Sequence, residues 1–160
     1  PNGGWLLADA RPGKVRAIVA LEPWGPPFRD SIPKPPVLNR PWGLTAAPLR
    51  YEPAADDPSA LDPKPVLNPD DPDHPCLLPS PPRRLPGLAA IPIAVLSGQA
   101  SHHIYYDGCT VAFLQATGAH AVQIKLADQG VRGNAHMLMI ERNSDAVAGV
   151  VERWIARNAR

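Results

Sequence analysis

The side chain best suited to proton transfer is the imidazole of His136, in the segment GNAHMLMIERN. Imidazole gains and loses its proton near neutral pH. Gly130, Gly133 and Asn134 precede it, and these residue types favour the sharp turn that would present the ring. Because α/β folds place functional groups in loops beyond the C-terminal ends of parallel strands, we predict that His136 is a general base. A surface or packed histidine is the alternative.

Such a base needs a carboxylate that fixes its tautomer, and Glu22 is the best candidate. It follows the apolar segment VRAIVAL, so it lies at the tip of a predicted buried strand, on the same rim as the His136 loop. The loop after the next predicted strand, SGQASHH, holds no carboxylate. Asp107 is the fallback, although an acidic residue there also suits the first turn of a helix. The simpler interpretation of Glu22 is a solvated strand end.

A serine nucleophile is not recognisable in the chain. The nucleophile elbow GxSxG connects a strand to the helix that follows it, and no serine here has that setting. The candidates lie in proline-rich segments or beside a strand-end loop: Ser31, Ser59, Ser80, Ser97 and Ser101. Since the chain opens with a predicted helix, we expect the elbow and its oxyanion-hole donors just upstream of Pro1.

The remaining histidines and the cysteines suggest no metal site. His102 and His103 share the rim loop and are candidates for lining a substrate site, but as neighbours on a strand or loop they should point in opposite directions. Neither of these two histidines has metal-ligand spacing with a carboxylate or cysteine, so we assign no metal and no cofactor. Cys76 and Cys109 fit neither a metal pattern nor a redox CxxC pair. They form one disulfide if the protein is exported, or remain two packed thiols.

Composition excludes several classes of protein. A chain of 160 residues with 44% apolar residues is long enough for one domain with a core. Its net charge of +1 and scattered basic residues argue against nucleic-acid binding. No apolar run approaches the ~20 residues needed to cross a bilayer. The N-terminus carries no signal-peptide pattern, and we expect any targeting segment upstream. A secreted or periplasmic location is slightly favoured over a cytoplasmic one.

The elements that must position these residues follow an α/β order. Apolar runs of strand length occupy residues 15–21, 91–98 and 121–128, the last nearer a sheet edge. Helical spacing occupies residues 5–10, ending at Pro12, and residues 106–118, ending at Gly118. A final helix over 143–158 has an apolar stripe and a cap at Asn143 or Ser144. The first two strands should be buried on both faces of a parallel sheet.

Residues 27–86 interrupt this order and hold 17 of the 22 prolines. Proline removes backbone donors and fixes φ, so the segment cannot add much sheet or helix. A low-complexity linker is one interpretation. Its apolar residues favour instead an ordered, cap-like excursion over the sheet, with residues 87–160 forming strand, helix, strand, His loop and helix. Three strands do not close such a core, so we expect further strands before residue 1.

Three segments together resemble a group of bacterial and fungal α/β-hydrolase serine esterases whose triad acid is a Glu after strand six. They are WLLADARPGKVRAIVALEPWGPPF, then IPIAVLSGQASHHIYYDGCTVAFLQATG, then GNAHMLMIERNSDAVAGVVERW, with WGLT between the first two. The resemblance implies that residues 1–160 are the C-terminal half of one α/β-hydrolase domain, a parallel sheet covered by helices. It also implies that Glu22 is the triad acid, that His136 is the base, and that an elbow of the type GHSQxG lies upstream.

The leading hypothesis is therefore a carboxylic-ester hydrolase whose serine lies on a partner chain or an upstream fragment. Its substrate would be a small-molecule ester. A higher oligomeric state is left as an alternative. Aromatic side chains that would line the substrate site are Trp24, Trp42, His102, Tyr105 and Tyr106, with core packing as the alternative for each. Two other hypotheses remain. In one, the chain is a non-catalytic structural or binding subunit. In the other, the Pro1 amine acts as a base, although no other feature of the sequence supports this.

Overall fold

The computed structural model describes residues 3–29 and 39–159. Pro1 and Ser31 lie outside this part of the chain, and so do the hypotheses that concern them. The helices are α1 (Gly3–Ala10), α2 (Pro86–Ala89), α3 (Asp107–Ala116) and α4 (Ser144–Asn158). The strands are β1 (Ile18–Leu21), β2 (Lys64–Val66), β3 (Cys76–Leu78), β4 (Pro92–Ser97) and β5 (His120–Lys125).

A three-stranded parallel sheet with the order β1-β4-β5 forms the centre of the structure. Helices lie between consecutive strands, as in an α/β protein. Ile18 of β1 pairs with Ile93 of β4, which in turn pairs with Ala121 of β5. The carboxyl ends of β1 and β4 therefore meet at one edge, where Glu22 and the loop after Ser97 begin.

The two core clusters lie on opposite faces of β4, since side chains alternate along a strand. Ile93 and Val95 belong to the cluster that contains residues of α1 and α3. Ala94 and Leu96 belong to the cluster that contains residues of α4. Both faces of β4 are thus buried, as predicted.

The prediction for β1 was wrong in one respect. All four of its residues are only partly buried, whereas the sequence predicted burial on both faces. Within the described residues β1 is an edge strand with one neighbour, β4, so less of its surface is covered. The edge position predicted for β5 is confirmed, and its residues are mostly exposed or partly buried.

The proline-rich segment is anchored where the structure describes it. Leu44, Leu49 and Tyr51 are buried in the core cluster, and β2 pairs with β3 in a short antiparallel ribbon. Cys76 and Cys109 form a disulfide that ties this ribbon to α3. Of the two alternatives left open for the cysteines, the disulfide is therefore correct.

The last helix begins where predicted, but its cap differs. Asn143 precedes α4 without a capping hydrogen bond from its side chain. Its amide instead exchanges hydrogen bonds with Asn134, because the loop that carries His136 passes directly beside it. No helix among the described residues is long and apolar enough to cross a membrane.

Candidate active site

The structure brings Glu22 and His136 together although 114 residues separate them in sequence. The Nδ1 atom of His136 lies 2.7 Å from Oε2 of Glu22. Glu22 is 4% exposed, whereas the side chain of His136 is 48% exposed. The carboxylate is thus shielded behind the imidazole. The contact through Nδ1 leaves Nε2 of the ring as the atom for proton transfer to a reactant.

Three donors surround the Glu22 carboxylate. The backbone N–H of Gly98 donates to Oε1 over 2.7 Å, and the Ser101 hydroxyl donates to Oε2 over 2.8 Å. His136 supplies the third contact. These hydrogen bonds replace the contacts with water that the carboxylate loses when it is buried.

The backbone of Glu22 is itself unusual. Its φ is +44°, in the left-handed region that residues other than glycine seldom adopt. Strained backbone conformations of this kind cost about 1–3 kcal/mol and persist where the surrounding structure fixes them. Here the Glu22 N–H donates to the carbonyl oxygen of Leu96, so the turn that leaves β1 is held against β4.

The loop that carries His136 is fixed by a second carboxylate that sequence reasoning missed. Glu141 accepts hydrogen bonds from the backbone N–H of Ala135 and from the amide of Asn134. Asn134 is fully buried, and it also bonds with Asn143. The signal was present in the segment GNAHMLMIERN, since Asn134 and Glu141 both belong to it.

A second histidine–carboxylate pair lies behind the first. Nδ1 of His103 is 3.1 Å from Oδ1 of Asp107, and the Ser97 hydroxyl donates to Oδ2 of Asp107 over 2.8 Å. His103 and Asp107 are both buried. Desolvation raises the pKa of Asp107 well above its ordinary value, and it lowers the pKa of His103 to about 4. Asp107 therefore starts α3 as predicted, but it contacts His103 rather than His136.

Both rim histidines lie beside His136, contrary to the prediction that they point in opposite directions. The centroid of the His136 ring is 5.4 Å from that of His102 and 4.7 Å from that of His103. The reason is local, because His102–Tyr105 form a 3₁₀ turn instead of a strand or extended loop. Successive side chains in such a turn are about 120° apart rather than 180°. Desolvation also lowers the pKa of His102.

The aromatic candidates for a substrate site are divided by their burial. Trp24 and Tyr105 are exposed. Trp42 and Tyr106 are buried, Trp42 within the core cluster, where its carbonyl oxygen accepts a hydrogen bond from Tyr51. Trp42 therefore packs in the core, whereas the ring centroid of Tyr106 lies 4.7 Å from that of His103, beside the candidate site.

Neither of the buried rim serines is placed as a nucleophile. The hydroxyl of Ser101 is directed to Glu22 and that of Ser97 to Asp107. Ser59 and Ser80 belong to the proline-rich segment, away from the rim in sequence. Among the residues that the structure describes, His136 thus has a carboxylate partner but no evident serine.

Glu22, His103 and His136 offer ligand atoms within 4.8 Å of one another, a grouping that the sequence did not reveal. The rings of His103 and His136 are stacked with an interplanar angle of 4°. Imidazole binds a metal through a lone pair in its ring plane, at about 2.0–2.1 Å for zinc. Two parallel planes do not converge on one ion, so the arrangement as it stands does not fit a shared metal.

The chain is similar to a fungal protein described as the probable secreted lipase phiG, with 43% identity over 157 residues. These residues make up 96% of this chain and 43% of the relative, so the chain spans less than half of the lipase's length. No protein-family model matches the chain, and no solved structure matches it. The relative's described secretion agrees with the disulfide.

Proposed function

We propose that this chain supplies the base and the acid of a Ser-His-Glu triad in a carboxylic-ester hydrolase. The observation that carries the proposal is the 2.7 Å contact between Nδ1 of His136 and the buried Glu22 carboxylate. Similarity to a probable secreted lipase supports the ester as substrate. The nucleophile would come from a GxSxG elbow outside these 160 residues, in an upstream segment or a partner chain. The chain itself would form the C-terminal half of an α/β-hydrolase domain.

In this proposal each side chain has a separate task. A serine attacks the ester carbonyl while Nε2 of His136 takes the hydroxyl proton. His136 then passes that proton to the departing alcohol oxygen, and an acyl-enzyme forms. Water then attacks the acyl carbonyl and loses a proton to His136. His136 returns this proton to the serine oxygen as the bond between that oxygen and the acyl carbon breaks, and the free acid leaves. Throughout, Glu22 holds the proton on Nδ1 and stabilises the imidazolium.

Exposed side chains beside His136 suit an ester with an apolar part. Met137, Met139 and Ile140 lie within four residues after His136 in sequence and are exposed. The predicted substrate-site residues Trp24 and Tyr105 are exposed as well. Such side chains bind acyl chains through the hydrophobic effect. We therefore propose that the alcohol or acyl group of the substrate lies over this loop, with His102 also at the site.

The test uses the whole protein, including any segment or chain that carries the elbow. Wild-type protein should hydrolyse p-nitrophenyl esters and react covalently with a fluorophosphonate at a serine. His136→Ala should lower kcat by at least about 10⁴-fold, since removal of one triad member abolishes most catalysis.

A matched control exists in His74, whose Nδ1 lies 2.8 Å from the Asp71 carboxylate on the surface. His74→Ala should keep wild-type activity. Equal activity of the His136→Ala variant and wild type would refute the proposal. A whole protein that reacts with neither the ester nor the phosphonate would favour a non-catalytic subunit.

A further inference from the structure

The imidazoles of His103 and His136 form a parallel stack at the centre of the candidate site. Their centroids are 4.7 Å apart and their planes differ by 4°. Tertiary structure brings the two rings together, since His103 lies in the turn before α3 and His136 lies in the loop before α4. Nothing in the triad described above uses His103.

His103 is held far more tightly than His136. Its backbone N–H donates to the Ser101 hydroxyl, and its Nδ1 contacts Asp107, which is in turn held by Ser97. All of these side chains are buried. His136, by contrast, has one hydrogen-bonding contact on its ring and is half exposed. The buried ring of His103 thus packs against the half-exposed ring of His136.

The stacked partner carries no charge at neutral pH. Burial lowers the pKa of His103 to about 4 and raises that of Asp107, so both groups favour their neutral forms. The other titratable groups facing His136 are Glu22, which bonds to it, and His102, whose pKa burial also lowers. A cation at His103 would oppose protonation of His136, whereas a neutral ring does not.

We propose that His103 is a positioning residue, a platform that holds the plane of the His136 imidazole for proton transfer. The proposal rests on the proposed ester hydrolysis. Stacking on a fixed ring removes the freedom of His136 to turn about its own side-chain bonds, while Glu22 fixes only one edge of the ring. His103 itself touches no reacting atom. Asp107 and Ser97 act by holding His103.

Two substitutions of His103 in the whole protein distinguish the role of the flat ring from the role of its nitrogen atoms. His103→Ala removes the ring and should lower kcat for a p-nitrophenyl ester by at least about tenfold, because a misplacement of about 1 Å can cost ~10²-fold. KM should change less than about threefold, since the ester is not bound by His103. His103→Phe restores a flat ring and should return kcat to within about threefold of wild type. Circular dichroism would establish that both variants are folded.

Two outcomes of the kinetic comparison would overturn the proposal. One is a folded His103→Ala variant with wild-type kcat. The other is a folded His103→Phe variant as slow as His103→Ala, which would show that the ring nitrogens matter and not the platform. In either case, reaction of wild type with a fluorophosphonate shows that the hydrolase function stands. Absence of that reaction in wild type would overturn the function and this inference together.

A measurement on wild-type protein covers the case in which both variants fail to fold. Nuclear Overhauser contacts between the ring protons of His103 and His136 should appear in the free protein and persist in the phosphonate adduct. Loss of these contacts in the adduct would mean that the stack breaks during the reaction, and the positioning role would be wrong.

Discussion

Gly98 lies so close to Asn134 that a Cβ at position 98 would come within 2.5 Å of the Asn134 carbonyl oxygen. The same glycine donates its N–H to Glu22, and Ala100 donates to the same Asn134 oxygen. The end of β4 thus joins the acid to the loop of the base through backbone atoms. Only a residue without a side chain permits this approach.

Gly98→Ala should therefore displace the His136 loop or the Glu22 contact and slow ester hydrolysis. A shift of about 1 Å can cost roughly 10²-fold in rate. Gly13→Ala is a suitable control, because a Cβ there meets nothing within 4 Å. Steady-state kinetics of both variants would test this. Unchanged kcat in Gly98→Ala would show that the loop tolerates displacement.

The two buried carboxylates should respond differently to amide substitution. Glu22 accepts from three donors, so Glu22→Gln places an amide against N–H and O–H groups and removes the charge that stabilises imidazolium. We expect kcat to fall by about 10³–10⁴-fold. Burial raises the pKa of Asp107, so removal of its charge should cost less than at Glu22, and an amide keeps the size of the side chain. Asp107→Asn should lower kcat by less than about tenfold. Similar losses in both variants would contradict this distinction.

Stability should depend on pH through His103. Its pKa is lowered to about 4 in the folded protein, whereas the unfolded chain binds a proton near the ordinary value of about 6.5. As the pH falls from about 6.5 to about 4, the unfolded state takes up a proton that the folded state does not, so this residue lowers the free energy of unfolding. The change ends below about pH 4, where both states are protonated.

Urea unfolding of wild type and His103→Gln between pH 4 and 8 would measure this contribution. The unfolding free energy of wild type minus that of His103→Gln should be constant above about pH 7. This difference should decrease as the pH falls, because only wild type loses stability through His103. A difference that does not change with pH would show that His103 titrates normally.

The disulfide should stabilise the link between the proline-rich segment and α3. Cys76 and Cys109 are 33 residues apart, and a loop of this size closed by a disulfide contributes typically about 2–4 kcal/mol. We expect reduction, or the Cys76→Ser/Cys109→Ser double variant, to lower the unfolding free energy by this amount. Since Asp107 lies two residues before Cys109, activity should also become more sensitive to temperature. Equal midpoints in urea with and without reductant would contradict the prediction.

Local sequence patterns were sufficient for the elements and for the first choice of residues. The apolar run 91–98 predicts β4, and the spacing through Leu114 with the stop at Gly118 predicts α3. Gly130, Gly133 and Asn134 likewise predict that His136 lies in a loop. These inferences succeed because helix and strand periods, and turn preferences, act over a few residues.

The sequence by itself therefore determined two candidates for a proton-transfer pair, His136 and Glu22, and an α/β order of elements that could bring them to one rim. Only the tertiary structure decided that these two residues are 2.7 Å apart, that Asp107 serves His103 and that the cysteines are bridged. Such pairings join positions far apart in the chain. These pairings depend on burial, because a buried polar group needs a hydrogen-bonding partner and burial shifts its pKa. A local sequence pattern does not show which groups become buried together.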